Sequence, residues 1–91
     1  MTFTDSAVTV EDEMQLPVAG LSKREVEVLL TWLQSDNKTV VAEVLYIAPA
    51  TVNTHISRIR DKYDSVGRPA PTKASLVARA LQDGFIDLTE L

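Results

Sequence analysis

Pro49-Ala50-Thr51-Val52-Asn53-Thr54-His55-Ile56-Ser57-Arg58-Ile59-Arg60-Asp61-Lys62-Tyr63 is the stretch that decides the fold. Val52, Ile56, Ile59 and Tyr63 recur at steps of four, three and four, so on a helix they form one apolar stripe. Asn53, Thr54, Ser57 and Arg58 lie on the other side, and Arg60 and Lys62 lie further along the flanks. A helix apolar on one face and short-polar plus cationic on the other can pack on a domain and still enter a DNA major groove. Its short polar side chains can reach base edges, and its cations can reach phosphates. An ordinary amphipathic surface helix has the same periodicity, so the stretch needs its context.

The preceding residues supply that context. Lys38 to Leu45 is a short helical pattern with Val41, Val44 and Leu45 facing inward, and the small Ala42 lets the next helix approach. Tyr46-Ile47-Ala48 is a turn. Pro49 suits the first position of the following helix, where its missing N–H costs nothing. Two helices joined by so short a turn, the second with a polar outer face, form a helix-turn-helix pattern.

Upstream, Ser22-Lys23-Arg24-Glu25 has capping-box spacing and starts an earlier helix. Val26, Leu29, Leu30 and Leu33 form its stripe, widened by Val28 and Trp32. Trp32 reads as a core anchor rather than a binding hot spot. Ser35-Asp36-Asn37 breaks the chain before the next helix. Downstream, Asp64 to Pro71 is a loop with Gly67, Pro69 and Pro71. Thr72 caps a last helix that runs to about Gln82 and stops at Gly84, a left-handed C-cap. Its apolar residues (Ala74, Leu76, Val77, Ala78, Ala80, Leu81) cover more than one face. One face is expected to pack on the domain, and Val77, Ala78 and Leu81 are expected to meet a second copy.

Composition narrows the function. Ninety-one residues suffice for one small domain. There is no cysteine and only one histidine, His55, so neither a thiolate metal site nor a histidine-based triad is available. No cofactor is expected, and no Gly-rich phosphate loop or nucleophile–base pair marks an enzyme. No apolar run approaches a membrane span and no signal peptide is visible, so the expected location is the cytoplasm. Net charge is −4, but it is unevenly spread. Residues 1–20 carry Asp5, Glu11, Asp12 and Glu13 with no Lys or Arg. Between 38 and 79, seven basic residues face three acidic ones, a local excess of +4. Phosphate contact needs such a local field, not a positive total. Residues 1–20, punctuated by Pro17 and Gly20, read as a linker or disordered tail ahead of a domain over 21–91. Within the tail, Ala7 to Val10 has some strand character.

Taken together, these motifs resemble the LuxR-type helix-turn-helix, the output domain of NarL/FixJ-type response regulators. Leu21-Ser22-Lys23-Arg24-Glu25-Val26-Glu27-Val28-Leu29 resembles the family's opening Leu-Thr-x-Arg-Glu-x-Glu-Val-Leu. Val41-Ala42, Leu45 and Ile47 fall where the family has Ile-Ala, Leu and Ile. Thr51-Val52-Asn53-Thr54-His55 resembles Thr-Val-Lys-x-His, and Ile59-Arg60-Asp61-Lys62-Tyr63 resembles Ile-x-x-Lys-Leu. The likeness spans about residues 21–86 and implies an all-α, four-helix domain.

It also implies roles. Asn53, Thr54 and Ser57 would face bases, and Lys38, Thr51, His55, Arg58 and Lys62 would meet the DNA backbone. The last helix would make the homodimer through Val77, Ala78 and Leu81. A receiver domain in the parent chain and RNA polymerase are further partners the resemblance suggests. His55 reads equally as a plain polar residue on the helix flank. Four positions depart from the pattern. Asn53 stands for the usual Lys, although Asn can pair bidentately with adenine. Thr39-Val40 stand for Lys-Glu, Ala48 for the Ser cap, and the loop before the last helix is about three residues longer. Two other readings stay open on the residues alone: a sigma-factor region-4-like domain, and an interaction bundle that no longer binds DNA.

Overall fold

The structure is a computed structural model that describes residues 16–35, 37–87 and 89. The expected strand character at Ala7 to Val10 and most of the expected linker lie outside the described residues. Among the described residues the regular elements are helices: α1 (Lys23–Leu33), α2 (Lys38–Leu45), α3 (Pro49–Ser65) and α4 (Lys73–Gln82). The all-α, four-helix architecture agrees with the sequence reading.

Each start has a local cause. Ser22 Oγ accepts the Glu25 N–H at 3.1 Å, and the Ser22 N–H donates to Glu25 Oε1 at 2.7 Å, which completes the capping box of α1. Asn37 Oδ1 accepts from Val40 N–H at 2.8 Å and starts α2. Thr72 and Ser75 exchange the equivalent bonds at the head of α4. At the end of α4 the chain turns through Gly84 at φ +76°, the left-handed conformation expected there.

The core is one cluster. Val28, Leu29, Val41, Val52, Ile56, Ile59, Tyr63, Leu76 and Ala80 are essentially sealed from solvent, and each large apolar side chain among them contributes about 1.5–3 kcal/mol. α1 is the hub and packs on α2, α3 and α4, while α2 packs on α1 and α3. Because neighbours lie on several sides of α1, its deepest residues are Val28, Leu29 and Trp32. Val26, Leu30 and Leu33, placed first by their spacing, are only half-buried.

Two expectations change. Val44 does not face inward: it is 57% exposed, and Val40 one turn before it is also exposed. A helix as short as α2 buries only the residues between its two neighbours, here Val41 and Ala42. The loop after α3 also starts later. α3 runs on to Ser65 because Tyr63 remains an inward anchor, and the backbone then closes through Gly67 N–H to Asp64 O at 3.0 Å and Arg68 N–H to Tyr63 O at 2.9 Å.

Arg68, which is 6% exposed, ties that loop to the segment before α1, and Arg79 of α4 adds bonds to the loop carbonyls of Arg68 and Pro69. The Arg68 guanidinium donates to Asp83 Oδ1 at 2.7 Å, to Gln82 Oε1 at 3.1 Å and to Pro17 O at 2.8 Å. It also lies 5.2 Å from the Tyr63 ring centre. Tyr63 Oη donates to the other Asp83 oxygen at 2.6 Å. Burial first, then the Asp83 bond and charge, push the Tyr63 phenol well above its ordinary pKa, so it stays a donor. The proline-rich loop is therefore anchored to α3 and to the C-terminal end of α4.

Candidate nucleic-acid interface

α3 begins at a backbone cap. Ala48 offers no side-chain acceptor, and its carbonyl receives Thr51 N–H at 2.9 Å and Val52 N–H at 3.1 Å. Pro49 occupies the first turn, where it removes one amide that would otherwise need a partner. Before it, Tyr46 closes α2 in the left-handed conformation, φ 58° and ψ 45°, and is 94% exposed. This turn sets the angle between α2 and α3.

From there the side chains sort by face. Val52, Ile56, Ile59 and Tyr63 point into the core. Thr51, Asn53, Thr54, Ser57, Arg58 and Asp61 are exposed. Asn53, Ser57 and Arg58 make no side-chain bond within the domain among the described residues, so their polar groups face outward unspent. Thr54 Oγ1 donates back to Ala50 O at 3.0 Å, a common habit of helical threonine, and keeps its lone pairs as acceptors. His55 is half-buried, and its Nδ1 is buried with no hydrogen-bond partner among the described residues. Only the Nε2 side of that ring is in a position to meet a ligand.

One of the expected backbone-contact cations, Lys62, is engaged elsewhere. Lys62 turns toward α1, where its ammonium lies 2.6 Å from Glu25 Oε1 and also donates to Gly20 O at 3.2 Å. Glu25 is 5% exposed. Burial pushes its carboxyl pKa up, but the Lys62 hydrogen bond, the Ser22 N–H and the Lys62 charge outweigh it and leave the carboxyl below its usual range. Lys62 is thus a strut between α3 and α1, because a buried carboxylate at contact distance holds it more strongly than solvent does. Lys38 projects over the Trp32 ring, 5.6 Å from its centre, and is half-exposed.

α1 is locked to α2 as well: the Arg24 guanidinium donates to Leu45 O, at the C-terminal end of α2, at 2.9 Å. Periodicity could not locate these ties. Glu25 and Lys62 are distant in sequence, and nothing in their local spacing pairs them. Arg68 likewise looks like one more loop cation until the fold surrounds it.

The geometry is a short helix, a three-residue turn and a longer helix whose polar face is open. A family model described as bacterial regulatory proteins, luxR family, matches residues 19–68. The chain belongs to the luxR family of bacterial regulatory proteins. The LuxR-type match spans α1, α2, the turn and all of α3, and ends at Arg68, so α4 lies beyond the matched residues. No curated protein and no solved structure matches the chain. A LuxR-type helix-turn-helix is the DNA-binding part of a transcription regulator, and α3 is the second helix of that motif.

In this LuxR-type domain, α4 touches α1. Its expected dimer residues are half-buried: Val77 and Leu81 pack against the domain's own core, with Ala78 between them. Among the described residues no cluster of His, Asp or Glu has the makings of a metal site, and no helix is long and apolar enough to cross a membrane.

Proposed function

We propose that this domain reads specific sites on double-stranded DNA by laying α3 in the major groove. Asn53, Thr54 and Ser57 meet base edges. Thr51, His55, Arg58 and Lys38 meet phosphates. The observation that carries this reading is the exposed run Asn53, Thr54, Ser57 and Arg58, directly opposite the sealed stripe Val52, Ile56, Ile59 and Tyr63. Lys62 is left out of the contact set because Glu25 already holds it.

At a finer level, the domain serves as the output module of a two-component response regulator in the bacterial cytoplasm. Residues 1–20, acidic and interrupted by Pro17 and Gly20, support a linker to a receiver domain. Two copies pair on a two-half-site operator through Val77, Ala78 and Leu81 of α4, and the bound dimer works on RNA polymerase. Half-site spacing then mirrors the two-fold axis.

The test is selection of bound sites from random duplex, followed by Asn53→Ala, Thr54→Ala and Ser57→Ala. Asn53→Ala should shift preference at one base position by about 1–3 kcal/mol. An unchanged site preference in all three variants would defeat the assignment. The rival reading, a bundle that has lost DNA binding, draws on the net charge of −4 and the internal engagement of Lys62. It requires that random duplex not be bound even at low salt.

A further inference from the structure

Three cations converge on the single tryptophan. Lys38 Nζ and Arg60 Cζ each lie 5.6 Å from the Trp32 ring centre, and Lys73 Nζ lies 5.1 Å from it. They come from three helices: Lys38 is the first residue of α2, Lys73 the first of α4, and Arg60 is on α3. Lys73 is steadied by donating to Ser35 O. Lys38 and Arg60 have no hydrogen bond or ion pair among the described residues, and the Arg60 Nε is buried without an acceptor. Asp61 and Asp64 line a shallow pocket with Arg60, yet neither is within ion-pair range.

Three like charges around one ring repel each other. The electron-rich indole face offsets part of that repulsion, and among the described residues no carboxylate lies within ion-pair range of the three cations. All three side chains stay half-exposed, whereas Trp32 is 7% exposed and cannot stack on a base. The result is a concentrated, half-exposed positive patch around a sealed indole.

Its place in the fold names the anion. Arg60 follows Asn53 by seven residues, two helical turns, so both lie on one flank of α3 about 10 Å apart along the axis. The base-reading face therefore runs on into the cation cluster. At such a distance from a groove-bound base edge lies the phosphodiester backbone, which carries one charge per ~1.7 Å of duplex.

We infer that Arg60 and Lys73, with Lys38, form a second phosphate clamp beside the recognition helix and hold the DNA backbone over Trp32. This rests on α3 being the DNA-reading helix. It adds a contact surface that reaches α4, so backbone grip also depends on the pose of the last helix.

The test is a duplex titration at 50 and 200 mM salt with wild type, Arg60→Gln, Lys73→Gln and the double variant, with Asn53→Ala alongside. Each single loss should weaken specific and random duplex alike and lower the salt slope by about 0.9. The wild-type advantage over each single variant should then shrink about 3.5-fold between the two salts. Trp32 is the sole tryptophan, so its emission reports the site directly. It should shift on duplex binding in wild type and not in the double variant, and inorganic phosphate at equal ionic strength should not reproduce the shift.

If wild type binds duplex and Asn53→Ala alters base preference, but the Gln variants keep the slope, the clamp is overturned while the DNA reading stands. If wild type binds no duplex, both fall. A Trp32 response to inorganic phosphate alone would assign the site to a free anion and overturn the backbone contact. Lys73→Gln and the wild-type emission shift decide the matter even if Arg60→Gln fails to fold.

Discussion

Glu25→Gln isolates the strut between α1 and α3. Glutamine keeps an acceptor for the Ser22 N–H, so the capping box survives, but it removes the charge facing Lys62. A hydrogen bond to a charged group contributes about 1.5–3 kcal/mol, and breaking a fully buried pair costs about 3–5. Here only one partner is buried: the Glu25 side chain is 6% exposed and that of Lys62 is 37% exposed. The stranded ammonium can regain water, which places the expected loss near the lower range, about 2 kcal/mol.

In a domain this small, each 1 kcal/mol moves the melting midpoint by about 4–8 °C, so a drop of about 8–16 °C is expected. The acid side gives an independent readout. Glu25 titrates lower in the folded chain than in the unfolded one. Its stabilisation is therefore complete above the unfolded carboxylate value, about 4.3, and is lost as pH falls through the lower folded value. Thermal melts from pH 7 down to 3 should show wild type and Glu25→Gln converging at the acid end. Lys62→Gln strands the buried carboxylate instead, so it should lose more stability than Glu25→Gln and leave the salt slope of DNA binding unchanged. A Glu25→Gln midpoint within 2 °C of wild type, or parallel pH curves, would refute the strut. A salt slope lowered by Lys62→Gln would return that lysine to the phosphate-contact set.

Three further outcomes follow from the same structure. Ala48→Ser supplies the side-chain acceptor that α3 lacks and should raise the denaturation free energy by about 1 kcal/mol; no change would mean that the exposed first-turn amides are already served by water. Tyr46→Asn relieves a left-handed tyrosine that buries nothing, and should stabilise by about 0.5 kcal/mol in chemical denaturation; a loss instead would point to a packing role for the ring. Val77→Glu should abolish cooperative filling of a two-half-site duplex while single-site binding survives. If the variant unfolds by circular dichroism, Val77 acts as core, and if it folds and stays cooperative, α4 is not the pairing face.

Periodicity, caps and breakers carried much of this domain. The stripe Val52, Ile56, Ile59 and Tyr63 was readable because a helix must bury one face, and that rule is local. The capping box at Ser22, the Pro49 start of α3, the Thr72 cap of α4 and the Gly84 stop are legible for the same reason, since each satisfies or removes backbone groups within four residues. The open polar face of α3 followed by subtraction, as what the core does not take.

What tertiary structure decided are the pairings between residues far apart in the chain. Val44 has the right spacing to be inward and is exposed, because no neighbour lies on that side of α2. Lys62 has the charge for a phosphate contact and is held by Glu25, because α1 crosses α3 there. Arg60, Lys38 and Lys73 are unrelated in sequence and meet over Trp32 because three helices end or pass at that ring. Arg68 becomes buried only when Pro17 and Asp83 close around it. Local rules fix which way a side chain leaves its own helix; what it meets depends on how helices cross, and charge and burial respond to the neighbours found there.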